Sequence, residues 1–303
     1  MTIFNNILVV VDSSQPDPPE LQRALKLAEP NTTQLHLVDI VKDSHFTLRL
    51  LTRDYAHIHE LLVKEKQEQL QTLVGQCLAQ GINTHGEVLE GTSSQETLAA
   101  AQRCRADLIV RATKGTNSRQ AGNLGTSSQK LLRDLPCSLW LAAAQHEPIC
   151  KSIVAAVDAT PGDEPHRLLN MRILQMAKQL AECEQAQLSV VYVWSLYGSE
   201  MLQHRLPANE YETLLAYNRQ QHRESFDRLL SECCQQALAP VAQMLEGEPS
   251  QAIPQHCQAQ SADLLICGSV ARHGIPGLLL GNTAERIVNR VNCSILAVVP
   301  PKD

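Results

Sequence analysis

The sequence predicts an α/β fold made of two tandem open sandwiches, each built on a five-stranded parallel sheet, and two observations predict it. The first is an internal repeat. "NILVVVD" at 6–12 returns as "SIVAAVD" at 152–158, an offset of 146 residues. "GTSSQETL" (91–98), "ADLIVRAT" (106–113) and "PCSLWLA" (136–142) return as "GEPSQAIP" (247–254), "ADLLICGS" (262–269) and "NCSILAV" (292–298), all at one offset of 156. A register held over about fifty residues marks a duplicated unit. The second observation is alternation. Short β-rich apolar runs alternate with longer segments of helical period, which suits parallel strands joined by right-handed crossovers and covered on both faces.

In chain order, the first copy reads as a strand over 6–11, stopped by Asp12, then a helix over 18–29 and a strand over 34–41. The segment 54–80 carries Leu61, Leu62, Leu70, Leu73, Val74, Cys77 and Leu78 and reads as a core-facing amphipathic helix. A strand over 84–89, a helix over 93–104, a strand over 107–112, a helix over 126–134 and a strand over 137–143 complete it. The copies divide as 1–146 and 147–303, linked near 143–151. The second copy is ten residues longer between Asp158 and Gly247, and the excursion at 195–210 is the expected place for the insertion. The similar, apolar last strands, 138–143 and 294–299, are expected to pair as a pseudo-dimer.

At 303 residues, 44% apolar and 19% charged, the chain has the balance of two globular domains with real cores. A formal charge of −6 argues against nucleic acid as a partner, since displacing counterions from phosphates needs a basic face. Ten cysteines are scattered without C-x-x-C or disulfide-rich spacing, which points to a reducing, cytoplasmic setting. No basic start precedes "ILVVV" and no 18-residue apolar run exists, so neither a signal peptide nor a membrane partner is expected.

Ligands of such sheets bind beyond the carboxyl ends of the strands, where strand order reverses. Two features of each copy fall there: the acid after the opening strand, Asp12 or Asp158, and the glycine-bearing loop after the fourth strand. Glycines let backbone close around phosphate oxygens, and the following helix start offers amides and a positive dipole end. The same loop also serves as an ordinary turn and cap, and an acid ending a strand also caps helices.

The pattern resembles the universal stress protein family across the whole chain, once per copy, and "GNTAE" near the end is most similar to the tandem universal stress protein E group. The resemblance implies an adenine nucleotide alpha hydrolase-like fold. It also implies G-x-x-G, nine residues, then G-[ST] as a cradle for ATP or AMP, with Mg2+ as companion. In the first copy Ala112 replaces the first glycine, Gly115 and Gly125 follow, and Thr126 with Ser127 closes the motif. In the second, Gly268 fits, Ala271 replaces the second glycine, Gly281 fits, and Asn282 stands for Ser or Thr, with Thr283 next. Arg111 and Lys114 flank the first loop, where their charge would offset a triphosphate; Asp12 and Asp158 would meet the adenosine end. A lost glycine that needed positive φ would cost about 1–2 kcal/mol as alanine.

Rival chemistry is weaker. His57 and His59 point to different faces of a helix, and Cys233-Cys234 are too close for an ordinary metal knuckle. Cys137 and Cys293 precede the two last strands as small packing thiols. There is no Walker A loop, no G-x-G-x-x-G after the first strand and no G-x-S-x-G elbow. No catalytic or metal-ligating residues are assigned. Three readings stay open: a stress-response regulatory module that binds an adenine nucleotide, with unidentified protein partners and a homodimer as its assemblies; an interaction module whose cradles are vestigial or take another apolar ligand; and a slow ATPase.

Overall fold

The computed structural model describes residues 3–42, 55–113, 124–143, 149–161, 164–233, 240–269 and 282–300. Two compact units emerge: 1–149 with 294–296, and 150–293 with 297–303. The division thus falls inside the last strand. The α/β class and its parallel ladders are as expected, while the separation into two discrete five-stranded sandwiches is not found.

In the first unit the elements are β1 (Asn6–Val10), α1 (Pro19–Leu27), β2 (Gln34–Val41), α2 (Tyr55–Ala79), β3 (Asn83–Glu90), α3 (Ser93–Arg103), β4 (Leu108–Ala112), α4 (Thr126–Arg133) and β5 (Ser138–Ala142). Strand order is β3-β2-β1-β4-β5, and the β1–β2, β2–β3, β1–β4 and β4–β5 ladders run parallel. The chain leaves β3 and returns on the far side of β1, which makes the space between β1 and β4 the switch point. Continuous apolar strands fit because both sheet faces are covered: Ile7, Leu8, Val9, Ile109, Val110 and Trp140 have no exposed surface. On α2 the expected core face is only partly inward. Leu70, Leu73, Val74 and Cys77 are buried, whereas Leu61, Leu62 and Leu78 are about half exposed.

The second unit contains β6 (Ser152–Val157), α5 (Glu164–Glu184), β7 (Gln187–Trp194), α6 (Ser199–Arg205), α7 (Ala208–Cys233), β8 (Val241–Glu246), α8 (Pro249–Ala259), β9 (Leu264–Gly268), α9 (Asn282–Arg290) and β10 (Ser294–Val298). Its order is β8-β7-β6-β9, with β10 beyond β9, and the switch point lies between β6 and β9.

The registers divide the ten extra residues, and no more than three of them lie at 195–210. Asn6 faces Gln34 and Ser152 faces Gln187, spans of 28 and 35 residues, so seven enter between the first two strands of the second unit. His36 faces His85 and Ser189 faces Val241, spans of 49 and 52, which places the other three between its second and third strands. The main cause is helix length, 21 residues in α5 against 9 in α1. The 195–210 segment instead forms α6 and the start of α7, with Tyr197 96% exposed.

Among the described residues, no helix is long and apolar enough to cross a membrane.

Candidate functional site

At the first switch point, Asp12 stands two residues past β1 and does not cap a helix. Its Oδ1 accepts from Ser14 N (3.3 Å) and Ser14 Oγ (2.5 Å), a local turn of the kind aspartate favours. Oδ1 also accepts from Lys66 Nζ on α2, at 2.8 Å. The same ammonium donates at 2.8 Å to Oδ2 of Asp39, a β2 residue only 4% exposed. Ser13 N (2.7 Å) and Ser13 Oγ (2.5 Å) donate to that oxygen as well. Burial works against the charge on Lys66, but the hydrogen bonds to Asp12 and Asp39 outweigh it and hold its pKa above the ordinary lysine value. Asp12, the expected adenosine contact, is therefore one end of a carboxylate–ammonium–carboxylate bridge.

Behind it, Asp12 N donates to Glu20 Oε1 at 3.3 Å. Glu20 is 2% exposed, and burial raises its pKa to about 7 against the opposing pull of the backbone donors and Arg111. Arg111, expected to face a triphosphate, is buried on β4. Burial lowers its pKa to about 10, with Glu20 acting in the opposite direction, and its Nε and Nη1 have no hydrogen-bond partner. The physical reason is position: in a covered parallel sheet even a charged strand residue points into a helix layer.

The loop after β4 is anchored at both ends. Thr113 N donates to Ala142 O (2.9 Å), and Thr113 O accepts from Gly125 N (3.0 Å) and Ser128 Oγ (3.2 Å). Gly125 caps α4 in an extended conformation (φ −75°, ψ 155°) with no side-chain cap, so the helix opens on backbone alone. Thr126 is exposed and Ser127 half-buried at that opening. Neither Gly125 nor Ala112 has positive φ. Ala112 is the last residue of β4, in a conformation alanine adopts freely, so the expected strain is not found there. Lys114, Gly115, Ala271 and Gly281 lie outside the described residues.

In the second copy, Asp158 Oδ1 accepts from Thr160 N (3.3 Å) and Thr160 Oγ1 (2.6 Å). Asn170 of α5 takes the place of Glu20, accepting from Asp158 N (3.1 Å) and donating to Asp158 O (2.6 Å). By strand register, Tyr192 stands where Asp39 does, and His222 of α7 meets it as Lys66 of α2 meets Asp39. Tyr192 Oη lies 2.5 Å from His222 Nδ1, and its ring packs on Phe226 with centroids 5.6 Å apart. Arg219 turns to Glu246, at 3.7 Å. One crevice is charged and the other aromatic. Asn282 opens α9, and Thr283 is exposed beside it.

Gly268 has a packing reason to be glycine. A Cβ there would meet Leu169 Cδ2 of α5 at 2.8 Å, closer than real Cβ contacts allow. Gly268→Ala is expected to destabilise the protein by about 1–2 kcal/mol, read as a lowered urea midpoint; an unchanged midpoint would show that Leu169 gives way freely. The first motif glycine therefore needs no ligand to account for it.

A duplicated, doubly wound α/β chain with one switch point in each copy defines the class. The family model described as "Universal stress protein family" matches residues 4–142 and again 151–299, and the chain belongs to that family. It is 24% identical over 306 residues to universal stress protein E of Photorhabdus laumondii, covering 99% of this chain and 96% of that protein. Against universal stress protein E of Escherichia coli K12 it is 23% identical over 314 residues, covering 99% and 95%. Among solved structures, a functionally unknown protein of Pseudomonas aeruginosa PAO1 superimposes with TM-score 0.71 at 23% identity, over 99% of this chain and 94% of that one. A universal stress protein of Archaeoglobus fulgidus gives 0.63 at 16%, over 98% and 97%. At these identities the structures speak for the fold alone.

Proposed function

We propose that this chain is a cytoplasmic regulatory module that binds an adenine nucleotide, ATP or AMP with Mg2+, and passes its occupancy to protein partners. The observation that carries the reading is Gly125, which opens α4 on bare backbone beside exposed Thr126, with the loop closed onto Thr113 at the switch point. The first copy is the better candidate because it keeps Gly125 and Thr126 together. An adenine amino group reaching Asp12 would exchange places with the Lys66 ammonium, so the nucleotide competes with an internal donor. We read 1–146 and 147–303 as the two domains.

Calorimetric titration with ATP tests this. Gly125→Val is expected to remove most of the binding heat and Gly281→Val less, with the fold checked by thermal melts. The opposite ranking would move the site to the second copy. No binding by the unaltered chain, confirmed by mass spectrometry of small molecules released on denaturation, would overturn the reading. The Lys66 bridge favours the alternative of a nucleotide-free interaction module, to which exposed Tyr197 and Met201 (53%) would lend surface. Phosphate release from ATP separates a slow ATPase from both.

A further inference from the structure

Two histidines stand side by side on the outer strands of the first unit. His36 of β2 and His85 of β3 are register partners in a parallel ladder, followed by Leu37 with Gly86 and Val38 with Glu87. Partners on neighbouring strands lie about 4.8 Å apart and point to the same face of the sheet. Two contacts say which face. A Cβ on Gly86 would strike Val74 and Leu70, so Leu37 and Gly86 face α2. Glu87 Oε1 accepts from Arg103 Nη2 of α3 at 2.6 Å, so Glu87, and with it His36 and His85, faces α3. His85 is exposed and His36 half-buried, and Nε2 of His36 is buried with no hydrogen-bond partner.

The second copy fills the same place differently. By register Ser189 and Val241 stand where His36 and His85 do, and Ser189 Oγ lies 3.1 Å from Nε2 of His256 on α8. At the offset of 156 the counterpart of His256 is Ala100 on α3. The first copy thus has its histidine on the strand and an alanine on the helix, and His36 lacks the partner that the second copy supplies in this layer.

We infer that His36 and His85 form a binding site for a divalent transition-metal ion that favours imidazole, such as Ni2+ or Zn2+. Metal–nitrogen bonds of about 2.1 Å let one ion span two ring nitrogens roughly 3 Å apart, a gap that rings on register partners can close. Only neutral imidazole offers the lone pair a metal needs. Burial first and the neighbouring His85 second hold the pKa of His36 below the ordinary histidine value, with Glu87 opposing, so this ring is neutral at neutral pH. Among the described residues no group of three or more His, Cys, Asp or Glu is placed to hold a metal, so the ion takes two protein nitrogens and completes its shell with water. Glu87, held by Arg103, is not a ligand. Bound near the amino ends of β2 and β3, the ion would tie the edge strand to its neighbour at the end of the sheet opposite the crevice.

The test uses Ni2+ on the full chain, because nickel suits imidazole while the softer thiolates select other metals. Histidines are carbethoxylated with diethyl pyrocarbonate with and without nickel, and the peptides are mapped. His85 is expected to be protected at a nickel concentration that leaves the exposed His57 and His204 reactive. The protection should vanish in His36→Ser, which carries the residue of the second copy. In His85→Asn the corresponding calorimetric site should be lost, with an unchanged urea midpoint. X-ray absorption at the nickel edge of the wild-type complex needs no variant to fold and should count two imidazoles. Protection of His85 only together with His57 and His204, its persistence in His36→Ser, or a count of one imidazole or none would overturn the inference.

Discussion

Glu20→Gln is expected to flatten the pH dependence of stability between about 4.5 and 7. Glu20 holds its proton in the folded chain up to about pH 7 but releases it near 4.5 when unfolded. Across that window the folded state binds more protons, so the contribution of this group falls as pH rises, opposite to the usual carboxylate trend. A shift of that size corresponds to a loss on the order of 3 kcal/mol by neutral pH. Glutamine stays neutral and keeps an oxygen for Asp12 N. Urea unfolding from pH 4.5 to 8 should show the variant gaining on the wild type steadily to about pH 7 and then running level. Parallel curves throughout would mean that Glu20 is charged in the folded protein.

Lys66→Met is expected to cost about 3 kcal/mol at pH 7, because it leaves the Asp39 carboxylate buried without its cation. Pairing it with Asp39→Asn should restore part of the loss, since no lone buried charge remains. Four unfolding curves close this cycle. Additive losses, or a neutral Lys66→Met, would show that Ser13 and solvent satisfy Asp39 unaided. The same variants bear on the proposed binding, because methionine removes the donor that a nucleotide would have to displace from Asp12.

The inner strands β1, β4, β5, β6 and β9 were legible because they are buried on both faces; β2 occupies 34–41 as its apolar run indicates, and helix α4 begins at Thr126 as the glycine before it suggests. The extra length of α5 was not. Between Asp158 and Gly247 no segment repeats clearly enough to divide the offset change. Within the site, Gly125, Thr126 and both aspartates are legible from position. Lys66 is not, because in "LLVKEKQEQL" it reads as one charge on a solvated face, and only folding brings it to Asp12 and Asp39. Arg111 misleads for the complementary reason: its charge suggests an anion, while its strand position places it inside.

The unequal helices α1 and α5 give the two copies different beginnings. An isolated helix of 9 residues cannot repay the cost of its first turn, so α1 exists only as a product of assembly on its sheet. At 21 residues α5 is past that threshold and can flicker into being within the unfolded chain. One polypeptide thus carries the same topology twice, once waiting for long-range contacts to call its first helix into existence and once able to dock a helix already partly formed.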